Sequence, residues 1–264
     1  MKKIDYDILK TNDVLDGKTV DNYREIFFSS NENLPKIYDN LDFKGKNVLS
    51  VLGSGDQMFH AYNRGAKHID VFDKNVLTIY YLYLRIWIME YYGDYYPNRK
   101  MDSKYIKDLI EIVKPSTEKD YYYLEYWKKF VDKYPFFFSH LLFIFDKFGY
   151  RDNKLQDIDL IKKRISEREF DFYNFDIQKD IDLKKKYDLI IVSNIVDYVA
   201  YIGNYRENLY NLLNDGGKIL STNVCTCNPT DYEKLFFSQK FDFRKLPKTY
   251  ESVYDYPGYV YTKK

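Results

Sequence analysis

The stretch Val48-Leu49-Ser50-Val51-Leu52-Gly53-Ser54-Gly55-Asp56 most narrows the folds open to this chain. A short, almost wholly apolar run is how a strand buried in a parallel sheet reads. This one stops at once on Gly-Ser-Gly-Asp, where glycine lets the backbone turn with positive φ from strand to helix. The pattern predicts a strand over Asn47–Leu52, a helix over Gln57–Arg64 stopped by Gly65, and a second strand over His68–Phe72 closed by Asp73. Gly53 and Gly55 remove side chains that would block a ligand lying against the turn, in the crevice outside the carboxyl ends of the strands. Asp73 follows Gly53 by about twenty positions, where an acid accepts hydrogen bonds from a ribose diol and repels a 2′-phosphate. The third glycine of a dinucleotide site is missing, and Gln57 and Met58 precede Phe59 instead. A nucleoside therefore fits better than a pyrophosphate, which disfavours a nicotinamide-dependent oxidoreductase.

Further along, strands are expected at Asp171–Phe175, Asp188–Ser193 and Gly217–Asn223, with a helix at Tyr205–Leu213 between the last two. The tail, around Phe241–Phe243 and Tyr259–Tyr261, suits an antiparallel edge hairpin. Strands separated by helices predict an α/β fold with a doubly wound, mostly parallel sheet. Residues 1–43 read as a helical and loop segment, with a helix around Asn22–Phe28 and the turn-rich Ser29–Pro35. Residues 44–75 and 167–264 read as the α/β domain. Residues 76–166 exceed the dozen or so that a crossover needs and read as an inserted, aromatic-rich helical subdomain between the second and third strands. Its helices are expected at 76–92, Ser103–Val113, Lys119–Lys133 and Phe136–Phe148, broken by Pro97, Pro115, Pro135 and Gly149.

In the order strand, Gly-x-Gly turn, helix, strand and acid, the chain resembles class I S-adenosylmethionine-dependent methyltransferases over roughly residues 44–75 and 170–225. The resemblance implies a Rossmann-like methyltransferase fold with S-adenosyl-L-methionine as cofactor. It implies that the loop Gly53, Ser54 and Gly55 packs on the methionine and ribose, that Asp73 holds the ribose hydroxyls, and that Asp56, Gln57, Lys74 and Asn75 also bind the cofactor. It further implies that Asp176 faces the adenine amino group with Ile177 beside the ring, and that Ser193, Asn194 and Asp197 line the reaction centre. A narrower likeness spans SSNENLPKIYDNLDFKGKNVLSVLGSGDQ, GAKHIDVFDKN and LIIVSNIVDY. It is to the branch containing betaine-lipid enzymes that transfer the aminocarboxypropyl group, and it implies that Glu32 and Asn33 fold over the amino-acid end of the cofactor.

Both resemblances imply a transferase. Methyl transfer to a small-molecule or lipid-like acceptor is the leading expectation and aminocarboxypropyl transfer the alternative, with a non-catalytic binding module as a rival of another class. The sulfonium already activates its carbons, so the protein's main task is to set a nucleophile in line. Asn194 and Asp197 are the catalytic candidates; Asp197 is either a general base or the N-cap of the following helix. The Asn-Pro-Pro-aromatic sequence of amino-methylating enzymes is absent, with Ser193-Asn194-Ile195-Val196 in its place.

Composition sets further bounds. The 41 basic and 40 acidic side chains nearly cancel, so nothing global draws the chain to nucleic acid. Cys225 and Cys227 exclude a disulfide framework, and no metal is expected from His60, His68 and His140, scattered over different elements. The first residues lack a signal peptide's apolar core, and Phe136–Phe148 is interrupted by charge and too short to span a bilayer. A soluble, cytoplasmic protein is expected. The 30 Tyr and 19 Phe fit core packing in the insertion, with some rings left to roof a substrate pocket.

Overall fold

The structure, a computed structural model, describes residues 30, 32–93, 103–133, 157–167, 170–179, 181–193, 195, 204–222, 238–247 and 258–264. The expected helices at Asn22–Phe28 and Phe136–Phe148, together with Asn194, Asp197, Cys225 and Cys227, lie outside these residues. In chain order the elements are α1 (Leu34–Tyr38), β1 (Asn47–Val51), α2 (Asp56–Asn63), β2 (His68–Asp73), α3 (Leu77–Tyr92), α4 (Ser103–Ile112), α5 (Glu118–Lys133), α6 (Ile158–Ser166), β3 (Phe172–Asn174), β4 (Tyr187–Ser193), α7 (Tyr205–Leu212), β5 (Leu213–Thr222), β6 (Phe241–Lys245) and β7 (Gly258–Lys263).

The seven strands form one sheet in the order β3-β2-β1-β4-β5-β7-β6. The pairs β1–β2, β1–β4, β2–β3 and β4–β5 are parallel, while β7 runs antiparallel to both β5 and β6. The mixed, mostly parallel α/β architecture is therefore the expected one, including the antiparallel pairing of the tail. The chain winds outward from β1 through β2 to β3, then crosses back to lay β4 on the other side of β1. That reversal opens a crevice at the carboxyl ends of β1 and β4, where open α/β sheets take ligands.

Val48, Leu49 and Leu52 are buried, as befits a central parallel strand covered on both faces. One core face joins Val48, Ile69 and Leu189 of the sheet to Tyr80, Leu84 and Trp87 of α3 and to Trp127 and Phe130 of α5. Helices α3 and α5 thus share a contiguous core with the sheet. The Trp127 indole N–H, buried with its ring, donates to the Tyr80 carbonyl at 3.0 Å. Helix α3 is buried nearly all round, the condition in which a helix loses its amphipathic stripe. The opposite face packs Leu49, Ile190 and Ile219 against Tyr205 and Leu209 of α7.

Two short elements differ from the sequence reading. Ser29–Pro35 was expected to be a turn, yet α1 starts at Leu34. Proline is tolerated in a first helical turn because its missing N–H has no partner to lose there, and the Asn33 side chain caps the helix by accepting from the Lys36 N–H at 3.4 Å. Helix α6 was not singled out; Asp157 caps it by accepting from the Leu160 N–H at 2.8 Å. Among the described residues, no helix is long and apolar enough to cross a membrane.

Candidate functional site

Gly53 adopts φ +48° and Gly55 φ +87°, values that L side chains rarely tolerate, so the turn requires glycine at both positions. The two differ in what surrounds them. A Cβ on Gly53 would meet only the Gln57 Oε1 at 4.0 Å and otherwise open space. A Cβ on Gly55 would sit 2.8 Å from the Leu82 Cδ1 and 3.4 Å from the Phe59 ring. Gly53 therefore bares backbone toward the crevice, whereas Gly55 lets helix α3 close against the turn.

The tips of β1 and β2 meet. The Gly53 N–H donates to the Asp73 Oδ2 at 3.1 Å, and the Asn75 N–H donates to Oδ1 at 2.9 Å. Burial pushes the Asp73 carboxyl up to about 6, against the pull of those two backbone bonds and of Lys74. Lys74 itself is exposed, and the Asn75 side-chain oxygen accepts from the Leu77 N–H, at the first residue of α3, at 3.0 Å.

A second carboxylate, Glu32, reaches into the same end of the sheet. It is 3% exposed. Its Oε1 accepts from the Ser193 hydroxyl at 2.8 Å and from the Thr222 hydroxyl; its Oε2 accepts from Ser30 Oγ and Gln57 Nε2, both at 3.2 Å. Burial raises the Glu32 pKa, and those four bonds from neutral groups oppose the rise. The loop before α1 is thereby tied to the ends of β4 and β5 and to the start of α2. Ser193 has φ +51°, a positive value in a residue with a side chain, and it follows a register irregularity between β4 and β5. Such departures from regular pairing aim side chains at sites.

Gln57 Oε1, in this cluster, and Asn33 Nδ2, on the residue after Glu32, are buried and have no hydrogen-bond partner. An ammonium could donate to the first of these atoms, and a carboxylate could accept from the second. Asp56 and Ser54, by contrast, are turned inward. The Asp56 carboxylate accepts from the Ser30 N–H at 2.6 Å, from Ser54 Oγ at 2.8 Å and from Arg85 Nη1 at 2.9 Å, and both charged side chains of that ion pair are fully buried. Arg85 also donates to the Ser54 carbonyl at 2.6 Å. Beyond β3, Asp176 closes a turn by accepting from the Gln178 N–H at 3.0 Å, and the Ile177 side chain is buried in the second core face.

The sequence reading missed Ser30, Thr222 and Arg85. Only Arg85 left a trace, as the one basic residue in the apolar helix LTIYYLYLRIWIMEYY. At the opposite ends of the strands, His68, Asp70 and Asp171 bring three metal-type ligand atoms within 4.8 Å. There Lys185 Nζ already lies 2.9 Å from Asp70 and 3.1 Å from Asp171, so a side-chain cation bridges the two carboxylates.

No protein-family model matches the chain, and no curated protein matches it. Solved structures do align with it. A TehB-like S-adenosylmethionine-dependent methyltransferase from Corynebacterium glutamicum aligns over 94% of this chain and 100% of its own, at 11% identity and a TM-score of 0.47. The N-methyltransferase NodS from Bradyrhizobium japonicum, in complex with S-adenosyl-L-homocysteine, aligns over 97% and 94%, at 9% identity and a TM-score of 0.43. A putative S-adenosylmethionine-dependent methyltransferase from Listeria monocytogenes aligns over 87% and 99%, at 9% identity and a TM-score of 0.42.

Proposed function

We propose that this chain is an S-adenosylmethionine-dependent transferase that moves the methyl group to a small-molecule or lipid-like acceptor. The observation that carries the reading is the 3.1 Å contact between the Gly53 N–H and the Asp73 carboxylate, with open space in front of Gly53. A bare turn and a carboxylate on the neighbouring strand tip form a pair of the kind that holds a ribose against a strand-to-helix bend. In this reading Asp73 accepts from both ribose hydroxyls, and the unmet atoms of Asn33 and Gln57 take the amino-acid end, with Glu32 stabilising the ammonium. When bound, the cofactor supplies the electrophilic methyl. Transfer to the acceptor's lone pair would leave the carbon–sulfur electron pair on sulfur, and the chain would have to provide a base for any proton the acceptor sheds. Asn194 and Asp197 are retained as proposed reaction-centre residues.

Isothermal titration should show S-adenosylhomocysteine binding, and incubation with S-adenosylmethionine and candidate acceptors should yield S-adenosylhomocysteine. Methylthioadenosine as the product would instead assign aminocarboxypropyl transfer. Failure of both adenosyl compounds to bind would remove the proposal altogether.

The site also sets a pH dependence. Asp73 folds with its carboxyl raised from an ordinary 3.8 to about 6, so its contribution to stability is full below about pH 4 and is lost as pH rises through 6. Binding runs the other way, because only the ionised carboxylate accepts from two hydroxyls at once. Affinity for S-adenosylhomocysteine should climb between pH 5 and 7, by up to about tenfold per unit below the pKa. Titrations across that window check this. Because Glu32 is raised as well, the Asp73→Asn variant assigns the slope: it should flatten it, and an unchanged slope would transfer the effect elsewhere.

A further inference from the structure

We propose that two copies of this chain pair in solution through β6, antiparallel about a two-fold axis at Phe243, and so join their sheets. Among the described residues, strand β6 is the last in the sheet and has one neighbour, β7. An edge strand leaves backbone donors and acceptors on its outer side, ready for another strand. Asp242, Phe243, Arg244 and Lys245 are all exposed, and Phe243, at 58%, is the most exposed large hydrophobic side chain among the described residues. It stacks on Tyr259 and packs tilted against Tyr261 of β7, with ring centroids 5.6 and 5.4 Å away, so an aromatic platform is already in place behind it.

Charges on an edge ordinarily keep strands apart, but here their order makes the edge complementary to itself. Pairing centred on Phe243 sets Asp242 opposite Arg244 of the second copy and Arg244 opposite its Asp242. Phe243 then faces Phe243. Opposite charges directly across a ladder attract, and aromatic pairs add to the attraction. A slip of two residues would place Asp242 opposite Asp242, or Arg244 opposite Arg244, and a slip of one would mix the two faces of the sheet. The sequence thus selects one register and penalises its neighbours. Arg244 Nη2 donates to the Asn40 carbonyl at 3.0 Å and Asp242 lies 3.7 Å from Lys264, surface contacts that the pairing would replace or share. A groove of about 420 Å³, lined by Asn40, Asp42, Lys218 and Thr262, opens on the Asp242–Arg244 side and gives those side chains room to turn. The other described edge, β3, is three residues long, and Asn174 there spends its amide on the Asp73 and Lys74 carbonyls. It is too short to compete.

Light scattering on the full chain at micromolar concentration should read twice 32.0 kDa. Arg244→Asp sets carboxylates opposite each other and should weaken the dimer by on the order of tenfold or more. Combining Asp242→Arg with Arg244→Asp restores the opposite-charge pairs and should restore the dimer. Phe243→Asp should also dissociate it, and this variant carries the test if circular dichroism shows Arg244→Asp misfolded. A monomeric wild-type chain overturns the proposal. So does a dimer that survives both single substitutions, or one that the charge exchange fails to restore.

Discussion

Replacing Asp73 with alanine should lower the affinity for S-adenosylhomocysteine by on the order of a hundredfold or more, from two lost hydrogen bonds to a charged acceptor at roughly 1.5–3 kcal/mol each. The Gly53 and Asn75 N–H groups lose their acceptor in the same step. The melting temperature of the unliganded protein should move little, because burial disfavours the Asp73 carboxylate while the two backbone bonds favour it. Calorimetric titration and thermal melting together separate a binding role from a merely structural one. Unchanged affinity would take Asp73 out of the site, and a large loss of stability with unchanged affinity would make it a turn-former.

The second large effect concerns Arg85. Its ion pair with Asp56 is fully buried, and deleting one partner strands a charge in the interior. Arg85→Met should cost about 3–5 kcal/mol of folding stability, as broken buried pairs do. For a chain of this size that corresponds to a fall in melting temperature of roughly 10 °C. The double variant Asp56→Asn with Arg85→Met removes the stranded charge and should recover part of the loss, so a double-mutant cycle isolates the coupling. Because Arg85 also donates to the Ser54 carbonyl, the single variant should bind adenosyl ligands more weakly even where it stays folded. A loss under about 1 kcal/mol would mean that water reaches the pair, since exposed pairs contribute about that much.

Much of the fold was legible because its signals are local. The run Val48–Leu52, the glycines after it and the acid at Asp73 all fall within one strand-turn-helix-strand unit, and each was read from adjacent residues. The clustering of Glu32 with Ser193 and Thr222 was not, because those residues are 161 and 190 positions away and single hydroxyls at strand ends carry no pattern. Gly55 is a subtler case. Sequence reading gave it the same reason as Gly53, clearance for a ligand, whereas its missing side chain accommodates Leu82, a residue whose approach depends on how α3 docks. Asp56 went the same way: an acid beside a glycine turn looks like a ligand-binding group until its buried arginine is known. Helix α1 escaped because Pro35 reads as a breaker, although a first turn tolerates it.

The placement of β7 between β5 and β6 has a consequence for biosynthesis. Strand β6 leaves the ribosome before the strand that will flank it, so β5 keeps a bare flank until Gly258–Lys263 has been made. A message cut short just upstream of Gly258 would not merely trim a terminus. It would strip β5 of a neighbour and β6 of its only described one, and leave a nascent chain prone to sticking to others of its kind.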